Sequence, residues 1–360
     1  MKTKPLHKII QYFFPIFYND YFLRPLRFHH EGEQRESDKI AVFLIFPSQG
    51  LQESHLYSLR YIVESGYSPM VISNLPLSDA DITRLLPLSW KVIQRENFGY
   101  DFGGYRDAVL DLKDKLLKIR SFVLFNDSTW FPIPGGMDWL RTAEENSANF
   151  VGATNASFLG RCRVNNYKRF KWKVRDDASN FHYGSFALFI KNPILKTQDF
   201  LTFWQNLRLS QGKGRTCKRG ETGLTQWVLK MGHTHATTSD YRNFDQFLAK
   251  ASDEDKQEML ENVLLAQDEK AARFFKRKNI RQNSGSLDIE TVNAILRMIV
   301  ARRGLGPTLP QVFLRDYNYS FLKKYAAKKG LESRAIMLKV IDEISEPMRS
   351  IMRSELALDE

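Results

Sequence analysis

The chain has 360 residues, 43% of them hydrophobic and 13% aromatic, with 53 Lys and Arg against 41 Asp and Glu for a formal net charge of +12. That apolar content builds a real core and excludes a disordered chain, and the length suits one large domain with an appendage or two ordinary domains. The excess of cations and rings points to an acidic partner: a nucleic acid, an anionic membrane face or a phosphorylated small molecule.

The chain opens with MKTKPLHKIIQYFFPIFYNDYFLRPLRFHH, a basic aromatic arm over residues 1–37 that interleaves Lys, Arg and His with Phe, Tyr and Leu. Such a mixture suits a segment lying on an anionic bilayer, or equally a helix packed on the domain through its rings. Its most apolar stretch, IIQYFFPIFY, is about half of the ~20 residues a spanning helix needs, and Pro15 interrupts it. Neither a transmembrane segment nor a signal peptide is expected. Cys162 and Cys217 form no CxxC pair and no metal-ligand spacing, so a reducing cytosol is the expected compartment.

After the polar linker EGEQRESDK, the run KIAVFLIFPSQG predicts a buried strand and a loop. HLYSLRYIVESG and LSDADITRLL read as helices, SPMVISN and WKVIQREN as strands. In AVLDLKDKLLKI, Val109, Leu112 and Leu116 share a helical face before the strand RSFVLFND. This alternation predicts an open α/β sheet, mostly parallel, with crossover helices on both faces over residues 38–240 and ligand loops at the carboxyl ends of its strands. From about 241 to 360 the pattern turns helical and basic. Ser252 is placed to cap SDEDKQEMLENVLLA, while Ile289, Val292, Ile295 and Ile299 line one face of DIETVNAILRMIV. FFKRKNIRQNSGS reads as a basic hinge between these helices, and Pro347 should kink or end the last one.

Two polar knots stand out. In RENFGYDFGGY, Arg95 offers a charged fork of donors, and Asn97 and Asp101 offer short polar groups. Gly99, Gly103 and Gly104 let the backbone approach a ligand or turn with positive φ, a combination suited to a nucleotide. The alternative is a glycine-rich turn with Asp101 capping the next helix. The strand VLFNDS ends in Asp127, placed to hold a divalent cation against phosphates. Asp101-Phe102-Gly103 also spells the kinase DFG, but no other kinase motif accompanies it.

RENFGYDFGGYRDAV, VLFNDSTWFPI, NFHYGSFALFIKNPIL and ETGLTQWVLKMGH, in that order, resemble the rhamnan synthesis protein F family of bacterial polysaccharide glycosyltransferases, from about Ile40 to His233. The series also resembles diverged family 2 glycosyltransferases with a GT-A fold. By that resemblance Pro47, Asn74, Arg95, Asn97 and Asp101 would contact the nucleotide, and Asp127 would face a metal (Mg2+ or Mn2+) and the diphosphate. His182, Gly184 and Ser185 would line the acceptor side, and Glu221 would be the catalytic base. Asn126 and Ser128 replace the outer acids of an Asp-x-Asp, and Thr222 follows Glu221 where the family has Asp.

The implied reaction moves a sugar, rhamnose or a related deoxysugar, from a dTDP-rhamnose-like donor to a polysaccharide or lipid-linked acceptor. The place would be the inner face of the bacterial cytoplasmic membrane, without nucleic acid. Two rivals remain: a degenerate transferase serving as a scaffold, and a basic nucleic-acid-binding protein, which gives no reason for an acid at a strand end. Glu221 reads equally as a cap of the helix it precedes. His233 and His235 read as turn residues rather than metal ligands. The run RCRVNNYKRFKWKVRDD would clamp acceptor phosphates or lie as a solvated loop.

Overall fold

The computed structural model describes residues 5–156, 163–172 and 178–357; Cys162 and both ends of the RCRVNNYKRFKWKVRDD run lie outside them. The chain divides into two compact units, one of Met1–Asp127, Trp139–Ala153 and His182–Thr238, the other of Ser128–Asp138, Thr154–Phe181 and Ser239–Glu360. The first thirty-odd residues group with the first unit.

The first unit is organised by a mixed sheet. Its strands are β1 (Phe28–Glu31), β2 (Lys39–Ile45), β3 (Ser68–Ser73), β4 (Lys91–Gln94) and β5 (Ser121–Asn126). After the short β6 (Thr129–Trp130) of the second unit come β7 (Phe150–Ala156), β8 (His182–Tyr183), β9 (Ala187–Lys191) and β10 (His235–Ser239). The sheet order is β1-β4-β3-β2-β5-β9-β7-β10, with β8 beside β7. The four central strands β4, β3, β2 and β5 are parallel. They are near-continuous apolar runs because both of their faces are covered. In β2, Phe43 meets the His55 ring of α3 (Glu53–Glu64), while the next residue, Leu44, lies where a Cβ on Gly104 would touch it. Neighbouring side chains of a strand point to opposite faces, so α3 and the helix carrying Gly104 cover the two sides.

Strand order reverses at β2: the chain steps to β3 and β4 on one side and returns to β5 on the other. Open α/β sheets bind ligands outside the carboxyl ends of strands at such a switch point. Here those ends are Phe46-Pro47 and Asp127.

The helix after the first knot begins earlier than the apolar face of residues 109–116 predicts. It runs over Tyr100–Asp111, follows α4 (Asp79–Leu85) and is called α5; residues 116–118 form a short 3-10 turn instead. Gly99 precedes it at φ +83°. Gly103 and Gly104 are packing glycines: a Cβ on Gly103 would stand 2.0 Å from the Phe98 carbonyl oxygen, and one on Gly104 2.0 Å from Leu44. Gly103→Ala is therefore expected to destabilise the chain by at least the ~1–3 kcal/mol typical of overpacking, since backbone cannot yield as a side chain can. A thermal melt checks this.

The arm divides in two. From Tyr18 onward it is built into the unit: β1 pairs antiparallel with β4, and buried Asn19 donates to Asp107 Oδ1 at 3.3 Å. Arg106 donates to both carboxylate oxygens of Asp20, at 2.5 and 2.8 Å, and Arg27 pairs with Asp107. Burial opposes the Asp20 charge, but these hydrogen bonds and the Arg106 charge outweigh it and hold its carboxyl below the usual range. Earlier, along α1 (Pro5–Phe13) and α2 (Pro15–Phe17), Tyr12, Phe13, Phe14 and Phe17 stand exposed. Among the described residues no helix is long and apolar enough to cross a membrane.

The second unit is mainly helical. Ser252 caps its helix by accepting from the Asp255 N–H, and Val292, Ile295 and Ile299 are buried along Ile289–Arg303. The expected basic hinge is different: Phe274 to Lys278 are the last turns of a helix, Glu269–Lys278, which ends at Asn279 with φ +47°. Its Lys and Arg sit at the helix C-terminus, where the macrodipole favours cations. Pro347 falls between the helices Leu331–Asp342 and Met348–Ala357.

Candidate active site

Asp127 follows β5 directly, and its N–H donates to the Leu44 carbonyl at 3.0 Å. Its Oδ2 accepts from the Phe46 N–H at 2.6 Å and lies 3.3 Å from Nε2 of His55. The Gln52 N–H donates to His55 Nδ1 at 3.1 Å, which leaves the ring proton on Nε2, facing the carboxylate. Asp127 is thus oriented by a backbone amide and a buried imidazole. His55 has no sequence signature beyond its place at the start of α3, and sequence reasoning missed it.

Among the described residues no group of three or more His, Cys, Asp and Glu is placed to hold a metal ion. Asp127 fits one in a narrower way: Mg2+ is commonly held by one or two carboxylates together with substrate phosphates, not by an all-protein cage.

The first knot is largely occupied by the protein itself. Arg95, buried, donates to Asp107 Oδ2 (2.6 Å), to Asn74 Oδ1 (2.6 Å) and to the Phe98 carbonyl (2.8 Å). The fork expected to meet a nucleotide holds together β4, the end of β3 and the loop before α5. Asn74 is buried with it. Asn97 keeps a buried Oδ1 with no hydrogen-bond donor among the described residues. Asp101, in the first turn of α5, accepts from Asn126 Nδ2 at 3.1 Å instead of capping its own helix. Pro47 is buried just past β2.

The residues expected on the acceptor side do converge. Glu221 lies in a π-helical turn, Lys218–Thr222, that runs on into the helix Gly223–Lys230. Its Oε1 accepts from the Ser185 N–H at 2.8 Å, and its Oε2 is 3.7 Å from His182 Nε2. The carboxylate therefore reaches across to another segment and does not cap its own helix. Gly184 keeps the turn between His182 and Phe186 narrow, since a Cβ there would come within 2.6 Å of the Phe186 ring.

Tyr105 joins the two knots. Its hydroxyl donates to the Ser185 carbonyl at 2.8 Å. Burial pushes its pKa far up, and the charges of Asp101, Asp127 and Glu221 push it further while a hydrogen bond with Asn126 opposes them. Three carboxylates from three segments thus bear on one buried phenol. Tyr105 stands four residues after Asp101 on the same helical face, a spacing by which the sequence could have revealed it. Cys217 senses the same cluster: burial raises its pKa, and so do Glu221 and Asp101. His235 Nδ1 instead pairs with the Tyr183 hydroxyl at 2.6 Å, and His233 sits in the turn before β10 beside Trp227.

An open sheet, parallel at its centre with helices on both faces, that sets Asp127 at its switch point is an α/β class of fold. The chain belongs to the rhamnan synthesis protein F family, whose model matches residues 70–300. A curated relative, "Uncharacterized protein y4gN" of Sinorhizobium fredii, is 29% identical over 202 residues, covering 56% of this chain and 49% of its own. The match thus spans about half the length of that relative. Among solved structures, core-mannan synthase A (CmsA/Ktr4) from Aspergillus fumigatus, in a Mn/GDP form, is similar at 10% identity and a TM-score of 0.31, covering 55% of this chain and 71% of its own. The mannosyltransferase Ktr4p of Saccharomyces cerevisiae aligns at 11% identity and a TM-score of 0.28, over 52% and 64% of the two chains.

Proposed function

We propose that the protein is a glycosyltransferase that moves a sugar, rhamnose or a related deoxysugar, from a nucleoside-diphosphate donor to a growing surface polysaccharide or lipid-linked glycan, with inversion at the transferred carbon. The observation that carries this reading is a chain of contacts at the carboxyl end of β5: Asp127 is held by the Phe46 N–H, Asp101 accepts from Asn126 next to it, and the Tyr105 hydroxyl donates to Ser185, whose own N–H donates to Glu221. In this reading Glu221 Oε2 takes the proton of the acceptor hydroxyl. The acceptor oxygen bonds to the sugar carbon while the carbon–oxygen bond to phosphate breaks, and the diphosphate leaves with the electron pair. His182 and the Ser185 N–H hold the Glu221 carboxylate in place. Asp127, fixed by His55 and Phe46, is the group that would hold Mg2+ or Mn2+, and the ion would neutralise charge on the diphosphate.

Donor contact then rests on Asn97, Asp101, Gly99 and the backbone beside Pro47, with Arg95, Asn74 and Gly103 shaping the loop that carries them. The exposed rings of the arm support seating at an anionic membrane face, on the cytoplasmic side. Calorimetric titration with dTDP-rhamnose, with and without Mg2+, tests the core of this reading. Saturable binding that tightens with the ion is expected. Absence of binding by any nucleotide sugar under both conditions overturns it.

A further inference from the structure

Apart from the acid cluster, the first unit holds a cavity of about 580 Å3 lined by Tyr12 and Phe13 of the arm and by Arg208, Arg215 and Arg219. We infer that this cavity binds the phosphate head of a lipid-linked phosphate or diphosphate, whose hydrocarbon chain runs along the exposed rings of the arm.

Charge complementarity is the first support. Residues 208–219 carry five cations, Arg208, Lys213, Arg215, Lys218 and Arg219, and no acid. The three arginines that line the cavity are all exposed. None of the three guanidiniums has an ion pair with an acid among the described residues, whereas Arg95, Arg27 and Arg106 of the same unit all do. Arg219 Nη1 donates only to the Arg208 carbonyl, at 3.1 Å, and the Arg215 guanidinium lies 5.9 Å from the centre of the Tyr12 ring. Planar forks of this kind match phosphate oxygens in pairs.

The second support is apolar. Tyr12 and Phe13, which wall the cavity, are 63% and 61% exposed, and Phe14 and Phe17 continue the exposed surface beyond it. A free phosphate ion has no use for such rings; a phosphate that ends a hydrocarbon chain does, because its head and its tail are then satisfied side by side. The size also suits a head group, since ligand cavities commonly run to several hundred Å3.

Third, the cavity adjoins the first knot. The Tyr100 hydroxyl donates to the Gln211 carbonyl at 2.7 Å, and a Cβ on Gly99 would strike Leu209 at 2.8 Å. The same segment leads directly into Glu221. That the bound lipid is the acceptor rests on the transferase reading; that the cavity takes a lipid phosphate does not.

Calorimetry on the full chain without added metal separates the cases, with geranyl diphosphate as the probe and inorganic pyrophosphate as the tail-less control. Geranyl diphosphate is expected to bind at least tenfold tighter than pyrophosphate. Combining Arg208→Gln, Arg215→Gln and Arg219→Gln should weaken it at least tenfold with an unchanged melting temperature, because all three side chains are exposed. Tyr12→Ala with Phe13→Ala should erase the preference for the geranyl chain and leave pyrophosphate binding as it was. Equal affinity for the two probes, or arginine variants that bind geranyl diphosphate as the parent does, overturns the inference. A chain that binds geranyl diphosphate in this way and no nucleotide sugar would retain this site and lose the transferase reading.

Discussion

Glu221→Gln is expected to retain donor binding and to lower turnover by roughly 10² or more, the usual worth of a positioned general base. The amide keeps an oxygen that accepts the Ser185 N–H, so the loop from His182 to Phe186 stays in register with the helical turn. What disappears is the carboxylate that faces His182. Because donor and acceptor still bind, kcat and kcat/KM should fall together while the donor Kd stays constant. Stopped-flow or discontinuous transfer assays beside calorimetry provide both numbers. Normal turnover would reduce Glu221 to a brace for the Ser185 amide.

The second large effect is expected at Asp127. Asp127→Asn should lower turnover by about 10² to 10³, as removal of one group that stabilises developing charge commonly does. It should also abolish any tightening of donor binding by Mg2+. The fold should survive, since an amide oxygen still accepts from Phe46 N–H and the β5–β2 pairing does not depend on the side chain. His55→Gln is the companion variant. It leaves the carboxylate charge but removes its buried guide, so it should cost less turnover than Asp127→Asn. Parental turnover in Asp127→Asn would remove the carboxylate from the chemistry; a melting point lowered by many degrees would mark it as structural instead.

The parallel core was legible because buried strands have a simple grammar: IAVFLIF, PMVI and FVLF are apolar throughout, and each is followed by polar or turn residues. From that followed the loops at the strand ends and the position of Asp127, whereas the strand order that makes β2 the switch point did not. Glu221, His182 and Ser185 were named only by motif resemblance, since nothing in 182–185 and 221 alone says that a backbone amide of one will meet a carboxylate of the other. Arg95 shows why the remainder was hidden. A guanidinium beside glycines reads the same whether its fork faces a ligand or an internal acid, and the deciding partner, Asp107, sits two turns along a helix whose start at Tyr100 the apolar period did not mark. The excursions Ser128–Asp138 and Thr154–Phe181 into the second unit were invisible for a similar reason. Local periodicity reports which face of a segment is buried, not which core buries it.

The ion network around Asp107 bears on how this protein can be shortened. Arg27, Asn19 and Arg95 meet on that one carboxylate, and Arg95 in turn holds Asn74 and the Phe98 carbonyl. A chain trimmed to begin at Lys39, just past the polar linker, would strip Arg106 of its Asp20 counter-charge and expose the edge of β4 to pairing with other chains. The segment that looks like a detachable leader is a structural member of the support beneath Arg95 and α5, so a trimmed chain that keeps this support starts before Tyr18.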